Sequence, residues 1–262
     1  MSRTAVHSWV RVCAPAAVLG AAAAMAALIN TTPNDFFEPG TQVGTLVFPI
    51  VPSTECSFCH GNYDVNQEPY TRWAASMMAQ SARDPVFWAA VAIANQDMEG
   101  IGTFCIKCHS PGGWLAGNAT PADGSALATI DFDGVNCNAC HRLVDPVYTR
   151  GGSPAEDEAI LKMLGTVIPT DPHNGQFVMD PEDRRRGPRE LEDFFWHSWL
   201  ESPHHRQSAV CASGHEVSNP AFTRQPDGTY LLGPLDTPHP THLKTDAFPI
   251  ERTFSEWAAS AY

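Results

Sequence analysis

The chain has 262 residues, a formal net charge of −13 and eight cysteines. That acidic balance disfavours nucleic acid and anionic lipid as partners. It points to no particular protein partner, because net acidity is also a solubility device.

Arg3 and Arg11 precede an apolar, charge-free and alanine-rich run from Val12 to Ile29, which contains Cys13. The pattern predicts an export signal over residues 1–29, with Ala24-Met25-Ala26 as the small-x-small cleavage site. An uncleaved anchor is the alternative, since the run is about long enough to span a bilayer. Its alanine bias makes it weakly hydrophobic and favours cleavage, so membrane association is expected only where the segment is retained. Cys13 comes too early for a lipoprotein signal.

Residues 30–262 read as one continuous domain. A turn-rich entry, Asn30 to Gly40, leads to one short predicted strand, Leu46-Val47-Phe48. Next comes Cys56-Ser57-Phe58-Cys59-His60. Helices are predicted over Pro69–Gln80 and Pro85–Met98, the second with Asp84 as N-cap and Gly100 closing it. The pattern of Cys56–His60 then recurs as Cys105-Ile106-Lys107-Cys108-His109 and as Cys137-Asn138-Ala139-Cys140-His141. A helix is predicted from Ser153-Pro154 to just before Gly165, then a loop-rich stretch from Pro169 to Pro188. Its run Asp183-Arg184-Arg185-Arg186 reads as a solvated or propionate-facing surface. Ser202-Pro203 is expected to open a helix running into Cys211-Ala212-Ser213-Gly214-His215, a copy of the pattern that lacks its second cysteine. Gln225 to Gly228 marks a hairpin-like turn, and a last helix is predicted from about Thr253 to Tyr262.

Cys-x-x-Cys-His is the attachment signature of c-type haem. Two thiols three residues apart reach the two vinyl groups of one porphyrin edge, and the next residue presents an imidazole to the iron. Structural zinc needs four ligands from two pairs and leaves the invariant adjacent histidine unexplained. A redox dithiol would not recur three times, and disulfides fail on the same histidine. The cofactor expected is therefore haem c at Cys56, Cys59 and His60; at Cys105, Cys108 and His109; and at Cys137, Cys140 and His141. A fourth site, Cys211 with His215, is in question because Gly214 leaves only one thioether.

Each iron also needs a sixth ligand or an open position. Outside the signatures and the export segment stand His173, His197, His204, His205, His239 and His242. His204 and His205, just before the fourth signature, and then His197 are the distal candidates; Met77 and Met78 are the thioether candidates. His173, His239 and His242 lie in proline-rich loops and are expected at the surface.

With many prolines and glycines and little strand pattern, the expected fold is mainly α with extensive loops, wrapped around stacked haems that act as the core. Trp73-x-x-Ser76, Trp199-x-x-Ser202 and Trp257-x-x-Ser260 echo one another as helical elements. The first two precede signatures and the third has none after it, which reads as a chain truncated at its C-terminus.

The run Ser76 to Gln80 with Arg83 to Trp88 resembles the multihaem cytochrome c family of environmental bacteria. So do Cys108 to Gly117, Cys140 to Tyr148 and His215 to Pro220. The resemblance implies electron transfer in the periplasm or at the cell surface with redox proteins as partners. Its members look longer, and in them the fourth segment would be a full signature. The expected function is thus a non-catalytic electron relay. The alternative is the haem-bearing part of an oxidoreductase, for example a nitrogen- or sulfur-oxyanion reductase, whose active haem is missing or has an open iron. A docking subunit that merely carries haem is a third reading.

Overall fold

The computed structural model describes residues 27–192 and 196–261. Cys13 and nearly all of the expected export segment lie outside them. Ile29, the last residue of that segment, belongs to the folded body: its N–H donates to the Asp97 carbonyl at 2.9 Å and its carbonyl accepts from Glu99 N–H at 3.0 Å. Among the described residues, no helix is long and apolar enough to cross a membrane.

Several of the short helices begin where a side chain satisfies an open first-turn N–H group. Helix α1 (Ser53–His60) is capped from a distance, the Asp133 carboxylate accepting from Ser53 N–H at 2.8 Å and from its hydroxyl at 2.7 Å. The helix expected over residues 69–80 is two, α2 (Pro69–Ala74) and α3 (Met77–Gln80). Ser76 is extended between them, and its hydroxyl accepts from Ala79 N–H to start the second. Helix α4 (Pro85–Asp97) begins as predicted, with Asp84 accepting from Val86 N–H at 2.8 Å. Helix α5 (Gly102–His109) starts at a glycine because a Cβ there would lie 1.9 Å from the Ala122 carbonyl oxygen. Then follow α6 (Pro111–Leu115) and α7 (Cys137–His141), the latter capped by Asn136, which accepts from Ala139 N–H at 2.9 Å. Helix α8 (Ala155–Leu164) ends before Gly165, as predicted. Helix α9 (Thr253–Ala259) ends at Ser260, which is extended, and so does not run on to Tyr262.

The mainly α expectation, with haems as the core, is overturned: 37% of the described residues are helical and 12% are strand, a mixed architecture with several small sheets. Strands β1 (Leu143–Val144) and β2 (Val178–Met179) pair antiparallel, whereas β3 (Arg185–Gly187) and β4 (Trp199–Glu201) pair in parallel. Strand β5 (Val217–Arg224) is central to an antiparallel sheet, flanked by β6 (Tyr230–Leu232) and β7 (Ala247–Glu251). The turn expected at Gln225–Gly228 joins β5 to β6, with Gln225 N–H donating to Thr229 at 2.7 Å. No strand forms at residues 46–48, where Val47 and Phe48 N–H both donate to the Pro181 carbonyl. The helix expected from Ser202 is instead two 3-10 turns, Pro203–Arg206 and Ser208–Cys211, separated by extended Gln207. Of the three Trp-x-x-Ser copies, the middle one lies on β4 rather than on a helix.

Apolar packing is divided among four small clusters. Between them lie buried ion pairs. Arg186 is fully buried, its guanidinium 2.7 Å from Asp157 Oδ1 and 2.6 Å from Asp180 Oδ2. Arg184 joins the same Asp180 at 2.8 Å, and Arg185 pairs with Asp183 at 2.7 Å. The basic run is therefore turned inward onto neighbouring carboxylates, which corrects its reading as a solvated surface. Removing one partner of a buried pair leaves an uncompensated charge, so Arg186→Met is expected to destabilise by about 3–5 kcal/mol. Lys162→Met, at the exposed Lys162–Glu158 pair, is expected to cost under about 1 kcal/mol. Urea unfolding of both variants measures the difference.

Candidate haem-attachment sites

All three intact signatures fold as helical turns: Cys56–His60 on α1, Cys105–His109 on α5 and Cys137–His141 throughout α7. At helical spacing, residues i, i+3 and i+4 share one face, so each pair of thiols and its histidine point the same way. The fourth signature keeps the turn without the second thiol. His215 N–H donates to the Cys211 carbonyl at 2.9 Å, one helical turn closing on itself.

Two of the histidines have a fixed tautomer. His109 Nδ1 lies 3.2 Å from the Ser81 carbonyl oxygen, and His141 Nδ1 lies 2.6 Å from that of Arg186. A carbonyl can only accept, so Nδ1 carries the proton in both and the Nε2 lone pair is left for iron. Ser81 also donates its hydroxyl to the His109 carbonyl at 2.8 Å, and Phe87 lies flat on the His109 ring with centroids 3.8 Å apart. Burial lowers the pKa of His60, His109 and His141, which favours the neutral imidazole that a metal requires.

The thiols differ among themselves. Burial pushes Cys105, Cys108 and Cys140 up to about 11. Cys56 is lowered to about 7, chiefly by a hydrogen bond with the Cys137 thiol, against the opposing effect of burial, with Arg185 adding positive charge. Cys137, the donor of that bond, is raised.

Phe58, inside the first signature, is 79% exposed. Among the described residues, no three His, Cys, Asp or Glu side chains group to hold a metal ion. A closed zinc site needs four such donors; in haem the porphyrin supplies four of the iron's ligands, so one or two protein donors suffice. The residues present fit haem.

The distal candidates are more varied. His204 is buried with Nδ1 3.9 Å from Asp145, while His205 Nε2 lies 3.1 Å from the Cys140 carbonyl and its buried Nδ1 has no partner. The rings of His141 and His205 are parallel, 6.4 Å apart. His197 Nδ1 contacts the Ser198 carbonyl at 3.3 Å. Met77 and Met78 on α3 are exposed, so their thioethers are open to a ligand rather than packed in a core.

Sequence reasoning placed His173 and His239 at the surface; both are buried, each with Nε2 unpartnered. They border a buried carboxylate, Glu38, which accepts from Asn174 at 2.6 Å and Gln176 at 2.7 Å and lies 3.2 Å from His242 Nδ1. Lys107, between the thiols of the second signature, is likewise buried, its ammonium 4.6 Å from the Trp114 ring centre. Burial lowers it to about 8. No periodicity marks these positions, since loops of proline and glycine carry most of them.

No protein-family model matches this chain, and no curated protein and no solved structure matches it either.

Thiol reactivity in the haem-free chain follows from these environments. Alkylation of Cys56, mapped by mass spectrometry, is expected to rise through a midpoint near pH 7, whereas Cys105, Cys108 and Cys140 stay inert below about pH 9. Cys137→Ala removes the hydrogen bond and should move the Cys56 midpoint upward. An unchanged midpoint would show that the contact does not set it.

Proposed function

We propose that this chain is an exported multihaem c-type cytochrome that relays single electrons between redox proteins in the periplasm or at the cell surface. The observation that carries the reading is the threefold signature on helix faces, with two of its histidines already holding Nε2 free. Haem c, when bound, supplies a one-electron iron couple. The paired cysteines would hold the porphyrin through thioethers, and His60, His109 and His141 would supply imidazole ligands, two of them oriented by the carbonyls of Ser81 and Arg186. His215 offers the same ligand at the fourth turn. His197, His204, His205, Met77 and Met78 are the side chains proposed to close the remaining positions. Closed coordination on both faces suits transfer of electrons rather than chemistry on a bound substrate.

Intact mass of the exported protein tests this directly. It is expected to exceed the unmodified chain by at least three haems that resist acid–acetone extraction, and complete extraction would end the reading. Carbon monoxide added to the reduced protein is expected to change the spectrum little. A strong change would reveal an open iron and favour an oxyanion reductase or related enzyme.

A further inference from the structure

The signatures follow one order in sequence and another in space. The first meets the third. Helices α1 and α7 are stitched together by Ser53 to Asp133, by Asn136 to the Val51 carbonyl at 2.9 Å and by Val51 N–H to Asn138 at 3.0 Å. Helices α1 and α7 are in direct contact at this seam, and His60 lies near enough to His141 to act on its charge.

The third meets the fourth. His205 contacts the Cys140 carbonyl at 3.1 Å, and its 3-10 turn leads within a few residues into Cys211. Leu143 and Val144, just past α7, face Ala209, Val210 and Ser213 across a small cavity.

The fourth meets the second at Gly175. Its N–H donates to the Ser213 carbonyl at 2.6 Å, and a Cβ on it would stand 3.2 Å from the Cys108 sulfur. With φ +67° and a thiol against it, this position suits glycine. The second and third signatures also share boundaries that bring no thiol against another: Leu115 packs on Ala139 and Phe177, and Ser81, hydrogen-bonded to His109 at Nδ1, lies against Gly134 ahead of α7.

We infer that the four signatures neighbour one another thiol side to thiol side in the order first–third–fourth–second, and that the damaged fourth is the link joining the Cys56–Cys137 seam to the Cys105/Cys108 site. The inference rests on the multihaem reading above and adds the neighbour relations. Its consequence is that Gly214 sits where that order is interrupted. The position could be repaired: a Cβ on Gly214 meets nothing nearer than the Cys211 carbonyl at 3.9 Å.

The test uses the full exported chain in its haem-loaded form, with haem counted by intact mass and the ferric irons examined by low-temperature electron paramagnetic resonance. In Cys211→Ser, which removes the last thiol of the fourth site, two haems are expected to show mutual spin coupling and one to give an unperturbed signal integrating to one spin. Gly214→Cys is expected to add one haem mass and to abolish that isolated signal. Deleting the first site, with Cys56→Ala and Cys59→Ala in the Cys211→Ser background, should uncouple the third haem and leave the isolated one unchanged. The order is overturned if the haem at Cys105/Cys108 is coupled in Cys211→Ser, or if deleting the first site leaves the third haem's signal as it was. Should Gly214→Cys mature poorly, the Cys211→Ser forms alone decide the order. Absence of haem mass in every form would instead sink the multihaem reading itself, and mass reports that separately from coupling.

Discussion

Arg186 ties the structure together. Its guanidinium is shared between Asp157 on α8 and Asp180 just beyond β2, so two distant segments are drawn onto one buried cation. Its backbone belongs to β3, paired with Leu200 on β4. Its carbonyl accepts the Nδ1 proton of His141. One residue thus joins charge compensation, sheet pairing and the orientation of a signature histidine. A buried ion pair is a poor source of net stability but a strict geometrical constraint, because any arrangement that separates it leaves a charge in low dielectric. The third signature inherits that constraint through a hydrogen bond.

Elsewhere the interior is held in small pieces. Four modest apolar clusters are separated by Glu38 with its amide and histidine partners and by Arg142, which donates to the carbonyls of Asp180, Phe48 and Pro49. Large apolar groups stand exposed near the signatures. The chain leaves Phe58 and Val86 in water while burying arginine and glutamate, so its interior is organised by polar contacts as much as by apolar packing.

Much of the local structure was legible. The signatures declare themselves by spacing, and α4 and α8 start and stop where an aspartate cap, prolines and glycine say they must. Failures arose where distant partners decide. Strands of two or three residues such as β1 to β4 have no periodicity to read, and β5 carries Pro220 inside it, so the sheets were missed and the fold class with them. The Arg184–Arg186 run looks solvated until Asp157 and Asp180 are seen beside it. His173 and His239 lie in loops that fold inward around Glu38, and sequence gives no measure of a loop's depth. Residues 69–80 form two helices because the cap of the second, Ser76, reads equally well as an interior residue.

The two preset imidazoles are held to different degrees. His141 is fixed at Nδ1, with Trp199 tilted 46° to its ring. His109 is fixed at Nδ1 and also by Phe87, which lies within 8° of its plane. A hydrogen bond restrains where the ring points; a flat aromatic neighbour also restrains its rotation about the Cβ–Cγ bond. The plane of the second signature's imidazole is therefore set by a phenylalanine on α4, a side chain outside the signature itself.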